Sequence, residues 1–128
     1  MYIYMLSCED NSIYTGVAKD IVKRLKEHYF QLSSCAKYTK SHKITGLIAL
    51  FSTENKSDAM KLEYHIKTLS HNQKLTLANA QNLNDTNDDY FYNLLIKLFG
   101  DKIEPTKFAI IAKEEQLEIF SQVVSNNH

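Results

Sequence analysis

At 128 residues, with 44% hydrophobic and 11% aromatic side chains, the chain is long enough to bury one hydrophobic core, and one compact domain with an appended segment is expected. Charged groups balance to zero, but residues 1–74 hold 11 Lys and Arg against 7 Asp and Glu, and residues 75–128 hold 4 against 8, so a neutral total excludes neither a basic working surface nor an acidic segment beside it. Cys8 and Cys35 show no disulfide or zinc spacing, the apolar runs fall short of the ~18 residues of a membrane span, and the amino terminus lacks a signal-peptide pattern, so a soluble protein of the reducing cytoplasm is expected.

Met1 to Leu6 and Ile13 to Val17 are rich in strand-forming residues, with the turn formers Glu9, Asp10, Asn11 and Ser12 between them, which predicts a β-hairpin. Alternation puts Tyr2 and Tyr4 on one face of the first strand and Ile3 and Met5 on the other. Gly16 stands at a strand end where the backbone must turn or admit something close. Asp20 is positioned to cap a helix running to about Phe30, seated through Ile21, Val22, Leu25 and Tyr29. Arg24 and His28 are four residues apart and share a face beside that stripe.

Gln31 to Lys43 reads as a loop, with Lys37, Lys40 and Lys43 around Tyr38, a pattern equally suited to phosphate contact with stacking and to an ordinary exposed loop. A third strand is expected over Leu47 to Phe51. Ser57 or Asp58 is the expected cap of a second helix reaching about Ser70, with Ala59, Leu62, Ile66 and Leu69 buried. Glu63 lies at the edge of that stripe, where a carboxylate must be paired, hydrogen-bonded or bound to a cation.

Residues 78–89, rich in Asn and Asp, read as a linker or long loop. Phe91, Leu94, Leu95, Leu98 and Phe99 then mark a helix that Gly100 stops. Pro105 interrupts the chain, Phe108 to Ala112 suggests a short extended piece, and Glu114 to about Val124 reads as a last helix with Leu117, Phe120 and Val124 inward. The expected division is therefore a first α/β domain over residues 1–77, the linker over 78–89, and a mostly helical extension over 90–128.

The order strand, strand, helix, strand, helix would let Tyr4, Tyr14, Arg24, His28 and Glu63 converge at one end of a small sheet. The chain here resembles a GIY-YIG nuclease domain of the small stand-alone type. The likeness is carried by Tyr2-Ile3-Tyr4, Tyr14-Thr15-Gly16, Arg24-Leu25-Lys26-Glu27-His28 and Glu63, and extends through Ala36-Lys37-Tyr38-Thr39 and Leu62 to Lys67. Two positions depart from the family name, Tyr2 standing for Gly and Thr15 for Ile, and neither replaces a reacting group. The Asn that many members carry after the metal-ligand Glu has Asn72 as its candidate, with Lys67 or Lys74 as alternative phosphate contacts.

The resemblance implies an α/β sandwich with a ββαβα core, a three-stranded, mainly antiparallel sheet and a carboxyl-terminal helical extension. It also implies a cytoplasmic endonuclease that hydrolyses DNA phosphodiester bonds with one Mg²⁺ or Mn²⁺, in the setting of repair or recombination. Glu63 would be the metal ligand, since Mg²⁺ accepts a single carboxylate when waters and a substrate phosphate complete its shell. Arg24 would hold a phosphate oxygen against the charge built up in the transition state. One of Tyr4 and Tyr14 would orient or deprotonate the attacking water, with His28 available to relay the proton. Gly16, Lys37, Tyr38, Thr39, Lys40 and Lys67 would contact the nucleic acid.

Two other readings fit the same residues. One is a non-catalytic nucleic-acid-binding module using the same face. The other is a protein-interaction role centred on the extension, whose acidic balance also suggests a segment laid near the basic cleft to lower its affinity for DNA.

Overall fold

The computed structural model describes residues 1–80 and 88–125. Its centre is an antiparallel sheet of β1 (Tyr2–Cys8), β2 (Ile13–Ala18), β3 (Ile44–Thr53) and β4 (Phe108–Ile110) in the order β2-β1-β3-β4. The three strands expected from the sequence are present, and the extension adds the fourth at the β3 edge, pairing Phe51 with Ile110 and Thr53 with Phe108. β2 is left as the other edge.

The hairpin turns as its residues dictate. Asn11 takes φ 67°, and the Asp10 carboxylate accepts from the Ser12 N–H at 3.0 Å. α1 (Ile21–Tyr29) starts where Asp20 accepts from the Lys23 N–H at 3.2 Å. After it Gln31 adopts φ 51°, an uncommon conformation for a residue with a Cβ, and reverses the chain. The segment expected as loop contains a short helix, α2 (Lys37–Ser41).

α3 (Lys56–Lys67) is capped two or three residues earlier than expected, by Asn55 in place of Ser57 or Asp58. The Asn55 side-chain carbonyl accepts from the Asp58 N–H at 2.8 Å while its amide donates to the Asp58 carboxylate at 2.7 Å, a reciprocal pair that neither Ser57 nor Asp58 offers as cap. A helix absent from the sequence reading, α4 (His71–Asn79), follows at once. Its start is a capping box, Ser70 accepting from the Gln73 N–H and Gln73 accepting from the Ser70 N–H. The expected linker thus begins inside α4, and its stretch from 81 to 87 lies outside the described residues.

The two faces of the sheet bury different side chains because alternate residues point opposite ways. Ile3, Met5, Ala49 and Phe51 pack against α3, α4 and α5 (Asp88–Phe99), with Phe51 stacked on Phe91 at 5.5 Å. Tyr4, Leu6, Leu47 and Leu50 face α1 and α6 (Lys113–Val124). Gly100, at φ 62°, ends α5 as its left-handed conformation allows.

α6 turns a different face inward from the one expected. Val123 and Gln116 are buried, Phe120 packs on Tyr29 at 5.9 Å, and Leu117 is 65% exposed. The apolar period alone misplaced the stripe by one residue, because the Lys113 ammonium reaches the Ile48 carbonyl at 3.1 Å and the Gln116 amide reaches Ile111, fixing the helix's rotation. The described extension thus adds β4 at the β3 edge, α5 on one face of the sheet and α6 on the other.

Candidate active site at the edge strand

The expected site residues come together at β2. Tyr4 on β1 stands opposite Gly16 on β2, and Leu6 opposite Tyr14, so both phenols rise from the face covered by α1. A Cβ on Gly16 would lie 2.6 Å from Tyr4 Cζ and closer still to the hydroxyl, so Gly16 exists to let the Tyr4 ring lie across β2. Gly16, expected as a contact to nucleic acid, is buried beneath that ring.

Tyr4 is 1% exposed and its hydroxyl lies 2.7 Å from His28 Nε2. His28 is fully buried, with Nδ1 2.7 Å from the Thr39 hydroxyl, and that hydroxyl donates to the Ala36 carbonyl at 3.1 Å. Thr39, expected as a surface contact to nucleic acid, faces inward with no exposed area. Tyr14 is half-exposed and packs on the His28 ring at 5.3 Å and on Tyr38 at 5.7 Å.

Arg24 reaches from α1 to Glu27 at 3.0 Å and to the Ser34 carbonyl at 2.8 Å, and lies against the Tyr4 hydroxyl. Glu27 also accepts from the Ser34 hydroxyl at 2.7 Å; that bond, and then Arg24, hold its carboxyl below the usual range. The guanidinium is fixed by the segment after α1 instead of swinging in solvent. Nothing in the sequence singles out Ser34 for this.

Glu63 arrives from the other face of the sheet. It is half-buried on α3, pairs with Lys67 at 3.4 Å, and Lys67 Nζ lies 6.0 Å from the centre of the Tyr14 ring. Because β2 is an edge, Glu63 on one face is linked through Lys67 to the Tyr14 ring on the other. Lys37 and Lys40 are exposed on α2, and Tyr38 is engaged by the Ser12 hydroxyl and by the His42 ring, 3.9 Å away. Asn72 and Lys74 sit on α4 without a described contact to these groups.

Among the described residues no three His, Cys, Asp or Glu side chains form a metal cluster. The donor set nevertheless fits a hard divalent ion of the Mg²⁺ kind, which needs as little as one protein carboxylate. Glu63 is such a carboxylate, and a cationic ammonium already stands beside it.

Burial, and then Tyr14, push the Tyr4 phenol above its usual range; burial also raises Tyr14, against a lowering effect of Arg24. Burial and the neighbouring Arg24 bring His28 down to about 4, so its ring is neutral at pH 7 and the ground for reading it as a neutral-pH proton relay falls away. A stability effect follows. The unfolded chain binds a proton at His28 near ~6.5 while the fold resists it, so this contribution is present above that pH and is lost as the pH falls through about 4. Between pH 6.5 and 4.5 urea unfolding should show a loss of about 2 kcal/mol that a His28→Gln variant, less stable throughout, lacks. Equal slopes for both proteins would contradict this.

A tyrosine pair, a fixed arginine and a lone carboxylate meeting at the edge of a small antiparallel sheet define a compact α/β catalytic-type domain. Residues 1–76 match the family model of the GIY-YIG catalytic domain, and the chain belongs to that family, which is one of nucleases acting on nucleic acid. A UPF0213 protein of Fusobacterium nucleatum is 53% identical over 66 residues, 52% of this chain and 64%, less than two thirds, of that protein. A UPF0213 protein of Clostridium perfringens is 38% identical over 94 residues, covering 73% of this chain and 98% of the relative. The solution structure of a UPF0213 protein from Bacillus halodurans is similar at 35% identity, over 62% of this chain and 83% of that one, with a TM-score of 0.40. No described helix is long and apolar enough to cross a membrane.

Proposed function

We propose that this chain is a cytoplasmic endonuclease that hydrolyses a DNA phosphodiester bond at the β2 edge with one divalent ion, Mg²⁺ or Mn²⁺, held by Glu63. The observation that carries the reading is the clustering of Tyr4, Tyr14 and His28 at the β2 edge, with Arg24 on the same helix as His28 and Glu63 reaching that edge from the other face through Lys67. When bound, the ion polarises the scissile phosphate and stabilises the leaving oxygen.

The side chains do the rest. Arg24, held in place by Glu27 and Ser34, offers a permanently charged planar donor to a phosphate oxygen as negative charge grows there. Tyr14 is the phenol that reaches the opening, and its oxygen orients the attacking water; Tyr4, buried beneath, shapes the floor. The water oxygen bonds to phosphorus, the bond from phosphorus to the leaving oxygen breaks, and the proton released by the water ends on that oxygen or in solvent. Lys67, half-exposed beside Glu63, would meet a backbone phosphate, as would Lys37 and Lys40.

Tyr14→Phe tests the assignment. It keeps the ring packing on His28 and Tyr38 and removes only the oxygen, so DNA binding should stay within about twofold while single-turnover cleavage falls about 10²-fold, the lower range for a positioned polar group. Unchanged cleavage would move the water-orienting role off Tyr14. DNA bound equally by all variants with no cleavage in Mg²⁺ or Mn²⁺ would instead favour the non-catalytic binding module.

A further inference from the structure

The buried hydrogen bonds behind the site run in one direction, and their order can be read from the inner end. The Ala36 carbonyl only accepts, so the Thr39 hydroxyl spends its single proton there and must receive from His28 Nδ1. His28 is then a neutral imidazole, protonated on Nδ1 and bare on Nε2, so the Tyr4 hydroxyl donates to Nε2 and keeps its oxygen as an acceptor for the cationic Arg24 nearby.

We infer that Thr39 is a positioning residue that locks this tautomer of His28 and thereby turns the Tyr4 phenol proton inward, leaving the Tyr4 oxygen as an acceptor facing Arg24. The inference rests on the nuclease reading for its purpose, since it makes Thr39 the far anchor of the guanidinium that meets the phosphate, but the hydrogen-bond order stands without it. The alternative order, with Nε2 protonated and Nδ1 bare, would force Thr39 to give up either Ala36 or His28. Tyr4, His28 and Thr39 are buried, so no water is at hand there to make up the loss.

Thr39 is well placed for such a task because its own backbone is tied down. The Gln31 side-chain amide donates to the Thr39 and Lys40 carbonyls at 3.2 and 3.0 Å, so α2 is held against the end of α1 that carries His28. The role also accounts for a threonine that faces away from solvent in a basic segment otherwise exposed.

The test is nitrogen-15 NMR of the histidine rings in the full chain, comparing the parent with Thr39→Val and Thr39→Ser, alongside DNA binding and single-turnover cleavage. The parent should show His28 protonated on Nδ1 alone at pH 7, Thr39→Ser should keep that pattern, and Thr39→Val should lose the single tautomer. In cleavage, Thr39→Val should lower the rate about tenfold with DNA affinity unchanged, and Thr39→Ser should restore it. A parent His28 protonated on Nε2, or a Thr39→Val protein that folds and keeps the parent pattern, overturns the inference. Should Thr39→Val fail to fold, the parent and Thr39→Ser spectra still decide it. Absence of cleavage by every protein, with the tautomers as expected, would overturn the nuclease reading and leave the hydrogen-bond order intact.

Discussion

Glu63→Ala is expected to abolish metal-dependent cleavage, by about 10³-fold or more, while leaving the fold and DNA binding in place. The loss is large because the ion's charge stabilisation is worth several kcal/mol, each ~1.4 kcal/mol is tenfold in rate, and among the described residues no group of three or more His, Cys, Asp or Glu side chains offers a substitute site. The fold should hardly notice. The Glu63–Lys67 pair is an i,i+4 contact with Lys67 half-exposed, of a kind that contributes about 0.3–0.5 kcal/mol. DNA affinity without metal should stay equal or tighten, since removing Glu63 takes a negative charge from beside Lys67. Thermal unfolding, DNA binding and cleavage measured on one preparation separate these three effects. Residual cleavage within tenfold of the parent would remove Glu63 from the metal site.

The second large effect is expected at Gly16. In Gly16→Ala the added methyl meets the Tyr4 ring at its oxygen-bearing end, and that ring is buried, hydrogen-bonded to His28 and unable to swing aside. Overpacking of this kind costs about 1–3 kcal/mol. Shifting the phenol also breaks the order that reaches Arg24, and displacement on the scale of an ångström lowers rates by about 10²-fold. Gly46→Ala supplies the contrast on β3, across β1 from β2: its new methyl would meet only the Ser7 hydroxyl oxygen at 3.4 Å, so little change is expected. If Gly16→Ala matched Gly46→Ala in stability and activity, Tyr4 would not be the reason for the glycine.

Those two glycines mark what the sequence could and could not convey. Gly16 was visible as a place where something must come close, but a one-dimensional pattern does not say that the visitor is Tyr4, which becomes its neighbour only through the register of β1 on β2. The hairpin, α1 with its Asp20 cap, β3, α3 and α5 were legible because each combines an apolar period with a start or stop residue. The family resemblance was legible because its residues lie on those same elements. α4 was not, since its Ser70 start follows directly on α3 and its sequence has almost no apolar period. The face of α6 was misjudged for a tertiary reason, the anchors from Lys113 and Gln116.

Within the proposed site, the five residues were expected from type and order, while burial is what tells them apart. Tyr4 and Tyr14 are equivalent as letters, yet one is sealed and the other opens to the cleft. His28 suggested proton transfer by its ordinary acidity, which burial beside Arg24 removes. Thr39 looked like a surface residue because Lys37 and Lys40 flank it, and only the helical turn of α2 carries it inward.

The most direct measurement is cleavage of labelled single-stranded, duplex, flapped and four-way DNAs by the intact chain in Mg²⁺, in Mn²⁺ and after chelation, with Glu63→Ala run in parallel. The account predicts defined products from at least one of these DNAs that require the ion and are absent with Glu63→Ala. Products that survive chelation or appear equally with Glu63→Ala, or no products from any of these DNAs by a folded protein that binds them, would contradict it.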